Sequence, residues 1–364
     1  MVSRRTFIKG SLAVGLGLSL GLFGWNRGVE ETCIPPSLGA PWRWAVTLNT
    51  RRMALSREGY EPHLALATEL GASMVRFDLS WNVVEPELDH WRAEQLAWYG
   101  ALVRAAKRHG LEVIGNLTDY PGWAIAELAR NPAAFQRRWY RYVAAVAREL
   151  DADVAYYQMG NEFNSVLDPI PREHDAEVFR VAHMALGDEL GSHRSRVRTV
   201  INPFYGFNHL GSEWDPALRM VLEAASEAID VLALDYYPGS YNLLGDPQDW
   251  SPLSSLAGYA REYDKALAIG ETGCPSFGSP SRQSCWYEAA LPALAREVEG
   301  LGLSRRMAFV CLFELADRPA LDWWELWRPT EVTLGLADRY LRPKPCFRIV
   351  QGLIGKRPRE RDGR

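Results

Sequence analysis

Eight short apolar runs alternate with longer amphipathic stretches, and this alternation limits the fold more than any other feature of the sequence. The runs favour β-strands and cover residues 44–48, 74–78, 111–117, 154–159, 198–202, 230–237, 266–271 and 307–313. The stretches between them repeat apolar residues every three or four positions, as on one face of a helix, in 62–71, 93–110, 135–150 and 288–302. Eight strand–helix repeats in 364 residues predict an α/β fold, a single-domain (β/α)8 barrel, rather than a doubly wound sheet.

Residues 1–28 are predicted to be a targeting segment that precedes the barrel. Arg4 and Arg5 stand before an apolar, glycine-rich run, which is the pattern of an export signal. With Phe7 and Lys9 after it, the arginine pair resembles the twin-arginine signal that exports folded bacterial proteins. A simple membrane anchor is the alternative, although a run of about 16 residues is short for a spanning helix.

This segment predicts a protein exported to the periplasm or the extracellular space, with the twin-arginine export machinery as a partner. No clean cleavage site of the small-x-small kind is visible near residue 27, so an uncleaved segment would leave the protein anchored. No later stretch is long and apolar enough to span a bilayer, so no other stable membrane span is expected.

The rest of the chain is predicted to contain a proline-rich linker at 29–41, the barrel at 42–352 and a short basic tail at 353–364. There are 41 basic and 45 acidic residues, which give a net charge of -4. A chain without a strong positive field is not expected to bind nucleic acid.

Cysteine and histidine usage bears on disulfides and metals. No C-x-x-C pair occurs, which argues against a zinc or redox motif. In an oxidising compartment Cys274 and Cys285 could form a disulfide, and two free thiols are the equal alternative. The seven histidines show no H-x-H or H-E-x-x-H pattern, so neither a metal nor another cofactor is expected.

Polar side chains follow several predicted strands at their C-terminal ends, where a barrel of this type places its active site. Asn161 and Glu162 come after the fourth run, and Glu271 ends the seventh. The fourth and seventh strands face each other across the mouth of a barrel, and two carboxyl groups flanking one site are what cleavage of a glycosidic bond requires. The alternative is that Asn161 and Glu162 form only a polar network at the start of the next helix.

Two segments carry a resemblance to a known family. MGNEFN (159–164) and IGETGCP (269–275) resemble the signature segments of clan A retaining glycoside hydrolases, the barrel enzymes that include cellulases, mannanases and xylosidases. The segment 74–86 is similar to the second strand of that clan, and 313–319 followed by 333–347 resembles its usual finish. The resemblance covers most of 42–352 and implies a carbohydrate substrate and no cofactor.

The resemblance also implies roles for individual residues. Glu162 matches the general acid/base and Glu271 the nucleophile. Asn161 matches the amide that hydrogen-bonds the 2-hydroxyl group of the sugar. Arg76 resembles the arginine that keeps the nucleophile ionised, and Tyr237 resembles the tyrosine that orients it.

Two positions depart from the pattern of the clan. Asp235 stands where many relatives have histidine. The eighth strand commonly ends in a tryptophan that stacks beneath the sugar, whereas here Leu312 or Phe313 lies near that place. Because sugar rings present apolar C–H faces to aromatic side chains, other tryptophans are candidates for this platform, namely Trp81, Trp123, Trp323, Trp324 and Trp327.

The sequence therefore predicts a glycosidase that cleaves O-glycosidic bonds, preferably β-linked, in oligo- or polysaccharides by a two-step displacement with retention. A carbohydrate-binding barrel with weak or no turnover is the alternative, because the platform tryptophan is missing from the eighth strand. A metal-dependent barrel hydrolase is a third hypothesis, which the scattered histidines disfavour.

Overall fold

A computed structural model describes residues 37–50, 53, 59–165, 167–206, 213–241, 245–318 and 329–355. Nine strands occur within these residues, and every pairing between them is parallel. They are β1 Arg43–Thr47, β2 Met74–Ser80, β3 Glu112–Thr118, β4 Tyr156–Met159, β5 Arg198–Ile201, β6 Phe204–Tyr205, β7 Val231–Tyr236, β8 Ala266–Thr272 and β9 Met307–Leu312.

The strands close into a barrel. Their order is β5-β4-β3-β2-β1-β9-β8-β7-β6, and β5 also pairs with β7, which joins the two edges. The two-residue strand β6 pairs only with β7, beyond the end of β5, and is not counted as a separate barrel strand. The barrel therefore has eight strands, of which β8 is the seventh and β9 the eighth. The predicted (β/α)8 barrel is therefore confirmed, and each of the eight predicted runs overlaps one of the eight barrel strands.

Ten α-helices connect or flank the strands in the described part of the chain. They are α1 Glu61–Leu70, α2 Trp81–Val84, α3 Ala93–Arg108, α4 Gly122–Arg130, α5 Pro132–Leu150, α6 Asp175–Leu190, α7 Trp214–Ala225, α8 Pro252–Glu262, α9 Pro280–Gly300 and α10 Pro345–Ile354. Short 3-10 helices occur at Asp151–Asp153, Arg172–His174, Gly191–Arg196 and Ser226–Ala228.

Local chemistry explains where several helices begin and end. Gly71 ends α1 with a φ of 95°, a left-handed conformation that glycine adopts without steric cost. The side chain of Asn131 accepts a hydrogen bond from the backbone of Ala134 at the start of α5. Helix α9 begins eight residues before the predicted 288, because Ser279 caps its first turn and proline occupies an early position.

An aromatic cluster fills the space between β2, β3 and the helices outside them. Trp81 is fully buried, and its ring stacks on Tyr142 with centroids 5.3 Å apart. Trp123, Phe135 and Trp139 have ring centroids within 6 Å of Trp81. Large rings packed at such distances stabilise the fold through both their buried apolar area and their ring–ring geometry. This cluster is therefore part of the core.

Several sequence-based predictions fall outside the described residues. These are the targeting segment 1–28, most of the linker, and nearly all of the basic tail. Among the helices in the described ranges, none is long and apolar enough to cross a membrane. Cys274 is buried and Cys285 is exposed. Both are free thiols in the structure, which is the alternative to the disulfide.

The aromatic cluster predicts a large stability effect at Trp81. Replacing Trp81 by alanine is expected to lower the free energy of unfolding by about 3–5 kcal/mol, because it opens a large cavity in the core. Urea denaturation measures this loss. The matched control is Phe277→Ala, since Phe277 is 48% exposed and its loss is expected to cost within about 0.5 kcal/mol. A loss at Trp81 no larger than that of the control would contradict the prediction.

Candidate active site

Two carboxylates meet at the C-terminal mouth of the barrel. Glu271 lies in β8 and is 6% exposed, and Glu162 lies in the turn that follows β4 and is half-buried. An oxygen of each, together with one of Asp235, lies within 4.8 Å of the other two. The fold therefore brings together the two acids that the sequence places 109 residues apart.

The turn after β4 has an unusual backbone. Gly160 has a φ of 83°, and Glu162 has a φ of 48°, a region that side-chain-bearing residues seldom adopt. The strained position is stabilised by contacts of its own backbone. The amide of Glu162 donates to Oδ1 of Asn202 over 3.3 Å, and its carbonyl accepts from the amide of Ser165 over 2.6 Å.

A buried arginine organises this mouth. Arg76, on β2, is 1% exposed and makes an ion pair with Oε1 of Glu271 over 2.7 Å. It also donates to Oδ1 of Asn161 over 2.7 Å and to Oε1 of Gln158 over 2.8 Å. The Tyr237 hydroxyl donates to the other oxygen of Glu271 over 2.7 Å. Both oxygens of Glu271 thus have a partner, which fixes the position of its carboxylate.

The amide of Asn161 is oriented by the same contacts. Its Oδ1 accepts from Arg76 over 2.7 Å, from Gln158 over 3.1 Å and from Asn202 over 3.2 Å. Because the oxygen is occupied by these three donors, the amide nitrogen is the atom left to donate to a ligand. Gln158 and Asn202 therefore position Asn161, a role that the sequence analysis did not assign to Gln158. A glutamine inside the apolar run of β4 was the available signal.

Asp235 lies beneath the two catalytic candidates. It is fully buried, and burial, followed by the charges of Glu271 and Glu162, raises its pKa well above the ordinary value. Asn202 donates to its Oδ2 over 2.6 Å. A Cβ at Gly270 would lie 2.3 Å from its other oxygen, so only glycine fits there. This environment disfavours the ionised form of the Asp235 carboxyl group.

These three carboxyl groups are the cluster in the described residues that could hold a metal ion. The guanidinium of Arg76 already lies 2.7 Å from Glu271, where it would repel a cation. Burial also raises the pKa of Asp235, which disfavours the ionised form that would bind a metal ion. The donor set is therefore suited to proton transfer and nucleophilic attack rather than to metal binding.

The carboxylates open into a cleft of about 360 Å³, which also contains Phe313 and Tyr241. Phe313 follows β9, and its ring centroid lies 6.4 Å from that of Tyr237 at an interplanar angle of 85°. Leu312 is fully buried, so Phe313 is the residue near the place of the platform tryptophan.

The structure corrects the prediction that Trp81 and Trp123 contact substrate, because neither lines this cleft. Trp81 belongs to the buried aromatic cluster, and its indole N–H donates to Glu85 over 3.0 Å. The indole N–H of Trp123 donates to the carbonyl of Glu85 over 3.1 Å, and its ring lies under the guanidinium of Arg138. Trp81 is therefore a core residue, and Trp123 packs half-buried against the core. The remaining platform candidates, Trp323, Trp324 and Trp327, lie outside the described residues.

Solved structures similar to this one are barrels from glycosidases. A β-glycosidase, BGL167, has a TM-score of 0.62 and 16% identity over 86% of this chain and 95% of that one. The exo-β-1,4-mannosidase Op5Man5 from Opitutaceae bacterium strain TAV5 has a TM-score of 0.64 and 19% identity over 89% of this chain and 61% of that one. Xylanase B from Clostridium stercorarium F9 has a TM-score of 0.59 and 17% identity over 87% and 99%.

At this level of identity the likeness establishes the fold, that of a (β/α)8 barrel shared with glycoside hydrolases. Comparisons with protein-family models and with curated protein sequences found no match. The assignment of an activity therefore depends on the site.

A further carboxyl group, Glu314, lines the cleft next to Phe313. It is 1% exposed, and its nearest ion-pair partner, Arg318, is 3.8 Å away, beyond hydrogen-bond distance. Burial raises the pKa of Glu314 from its ordinary value of 4.5 to about 8. The folded protein therefore holds a proton on Glu314 at neutral pH, whereas the unfolded chain releases it.

This difference predicts a pH-dependent contribution to stability. The stabilising effect of the protonated group is fully present below pH 4.5 and is lost as the pH rises toward 8. Glu314→Gln keeps the shape without titrating, so the stability of wild type relative to the variant should fall between these pH values. Urea denaturation of both proteins across this range measures the difference. A difference that does not change with pH, or that rises, would show that the carboxyl is not held protonated.

Proposed function

We propose that this chain is a retaining glycoside hydrolase that cleaves β-linked O-glycosidic bonds in oligo- or polysaccharides. The observation that carries the proposal is the approach of the Glu162 and Glu271 carboxylate oxygens to within 4.8 Å. Retaining glycosidases need carboxyl groups about 5–5.5 Å apart, whereas inverting ones need about 6.5–9.5 Å to admit a water molecule. The short separation supports retention.

The first step forms a covalent intermediate. An oxygen of Glu271 attacks the anomeric carbon while the carboxylic acid of Glu162 gives its proton to the glycosidic oxygen, and the bond between that oxygen and the anomeric carbon breaks. In the second step Glu162, now a carboxylate, takes a proton from water. The hydroxide attacks the anomeric carbon and releases Glu271, so two inversions give net retention.

The surrounding side chains suit these roles. The guanidinium of Arg76, 2.7 Å from Glu271, holds one oxygen of the nucleophile in an ion pair, and the Tyr237 hydroxyl holds its second oxygen. The amide nitrogen of Asn161, left available by three donors to its oxygen, can donate to the 2-hydroxyl group of the sugar. Such a contact strengthens as charge develops at the anomeric carbon.

The similar barrels support the same substrate class. By their names they are a β-glycosidase, an exo-β-1,4-mannosidase and a xylanase, and the first two names specify β-linked carbohydrates. A sugar-binding barrel with weak turnover is the second candidate function. It is favoured by one observation, the phenylalanine at position 313 where a tryptophan commonly stacks beneath the sugar.

Aryl β-glycosides of glucose, mannose, xylose and galactose, together with short oligosaccharides, test this proposal. We expect turnover by the wild-type protein that is abolished in Glu271→Ala, because the covalent intermediate cannot form. Glu162→Ala should lose about 10²–10⁴-fold on substrates with poor leaving groups and much less on nitrophenyl glycosides, which depart without a proton.

The control for these variants is Glu288→Ala, which removes an exposed glutamate on α9 and should keep full activity. Nuclear magnetic resonance of the first product should show the β-anomer. An α-anomer would rule out retention, and oligosaccharide binding without any turnover would favour the binding barrel.

We propose further that the protein is exported through the twin-arginine machinery, on the basis of the pattern at Arg4 and Arg5. Replacing both with lysine should retain the protein in the cytoplasm, because lysine does not reproduce the guanidinium pair. Cell fractionation followed by immunoblotting measures this. The matched control replaces Arg51 and Arg52, an arginine pair within the barrel region, by lysine. Equal export of both variants and wild type would refute this route.

A further inference from the structure

A second concave surface lies at the opposite end of the barrel from the carboxylates. It has a volume of about 700 Å³ and is formed where strands begin, since Arg43, Glu112 and Arg198 are the first residues of β1, β3 and β5. This end of a (β/α)8 barrel usually contributes to stability rather than to catalysis. We name it the basal basin and define it by its six basic residues, Arg43, Lys107, Arg196, Arg198, Arg305 and Arg306.

The charge of the basal basin is opposite in sign to that of the whole chain. Its six basic residues face two acidic ones, Glu112 and Asp153, whereas the chain as a whole carries a net charge of -4. A concave surface lined by one sign of charge, with protein walls of low dielectric constant, concentrates the electrostatic potential within it. The basin is therefore an attractive site for anions on a molecule that otherwise repels them.

The acidic residues of the basin are already engaged. Glu112 pairs with Arg43, whose guanidinium also donates to the Tyr156 hydroxyl, and Asp153 pairs with Lys107. Arg306 pairs with Asp264 over 2.9 Å. Half of the basic groups of the basin are thus neutralised by local carboxylates.

The other three, Arg196, Arg198 and Arg305, are exposed. Across the described ranges of the chain, no carboxylate lies within ion-pair distance of any of them. Arg196 has an electrostatic effect on Asp151, whose carboxyl group is itself paired with His193 over 3.1 Å. Three guanidinium groups from two chain segments thus converge on one cavity with their positive charge uncompensated.

We propose that the basal basin binds a soluble ligand that carries phosphate groups. The fork of N–H donors on a guanidinium matches two oxygens of a phosphate, and such charge-assisted pairs are the strongest hydrogen bonds that these side chains form. The basin, at about 700 Å³, is larger than a single phosphate ion, so a diphosphate or an organic phosphate fits it better. A concave site is also better suited to a compact ligand than to the flat surface of a bilayer.

The test is calorimetric titration of the full-length protein with inorganic pyrophosphate, at constant ionic strength maintained with chloride. We expect saturable binding that weakens at least about tenfold in the triple variant Arg196→Gln, Arg198→Gln, Arg305→Gln, because each lost fork removes a charge-assisted contact. The matched control is Arg92→Gln, Arg130→Gln, Arg137→Gln, which removes the same charge from exposed positions elsewhere. It should bind within about twofold of wild type.

Other outcomes would overturn the proposal. If pyrophosphate does not bind the wild-type protein saturably, or binds both triple variants equally weakly, the basin attracts anions only through nonspecific charge. Vesicles of phosphatidylglycerol, with phosphatidylcholine vesicles for comparison, test the other source of phosphate. Binding to the former that is lost in the Arg196, Arg198 and Arg305 triple variant, without saturable binding of pyrophosphate, would assign the basin to a membrane instead of a soluble ligand. Thermal unfolding in phosphate-free buffer shows whether each variant is folded, and the basin can be tested whether or not the glycosidase proposal holds.

Discussion

The ion pair between Arg76 and Glu271 is the contact on which the candidate site depends. Both side chains are nearly inaccessible to solvent, so their charges are removed from water at considerable cost, and attraction over 2.7 Å offsets that cost only if the remaining donors and acceptors are also satisfied. Asn161, Gln158 and Tyr237 satisfy them. The contacts that offset the cost of burying these two charges also hold the carboxylate of Glu271 and the amide of Asn161 in place. The same hydrogen bonds therefore account for the stability of the site and for its geometry.

The barrel makes this network possible because it carries residues distant in the chain to one mouth. Arg76, Glu162 and Glu271 come from β2, the turn after β4, and β8, and parallel pairing aligns the C-terminal ends of these strands. The environments of the acids then differ. Glu271 faces a fixed cation, Asp235 is buried with a raised pKa, and Glu162 lies in a left-handed turn at the edge of the cleft. Unlike environments for similar groups are what a division into acid and nucleophile requires.

The two ends of the barrel have opposite electrostatic character. The C-terminal mouth gathers carboxyl groups around a cleft, and the N-terminal end gathers guanidinium groups around the basal basin. The mouth offsets its negative charge internally, through the ion pair of Arg76 and through burial that raises the pKa values of Asp235 and Glu314. The basin leaves three of its arginines without a carboxylate among the described residues, which is why an external anion is the natural partner there.

The sequence alone determined the barrel, because strand and helix periodicities follow from local backbone geometry and repeat eight times. It also singled out Glu162 and Glu271, since acids after apolar strands have few structural uses. Tertiary structure alone decided which rings meet the cleft. Trp81 and Trp123 are apolar enough for the core and polar enough for a sugar site. Only their contacts with α5 and Glu85 show that Trp81 is buried in the core and that Trp123 packs, half-buried, against it. It also decided the raised pKa of Asp235, the positioning role of Gln158 and the convergence of arginines in the basal basin, because burial and distance across the barrel are not properties of any local stretch of chain.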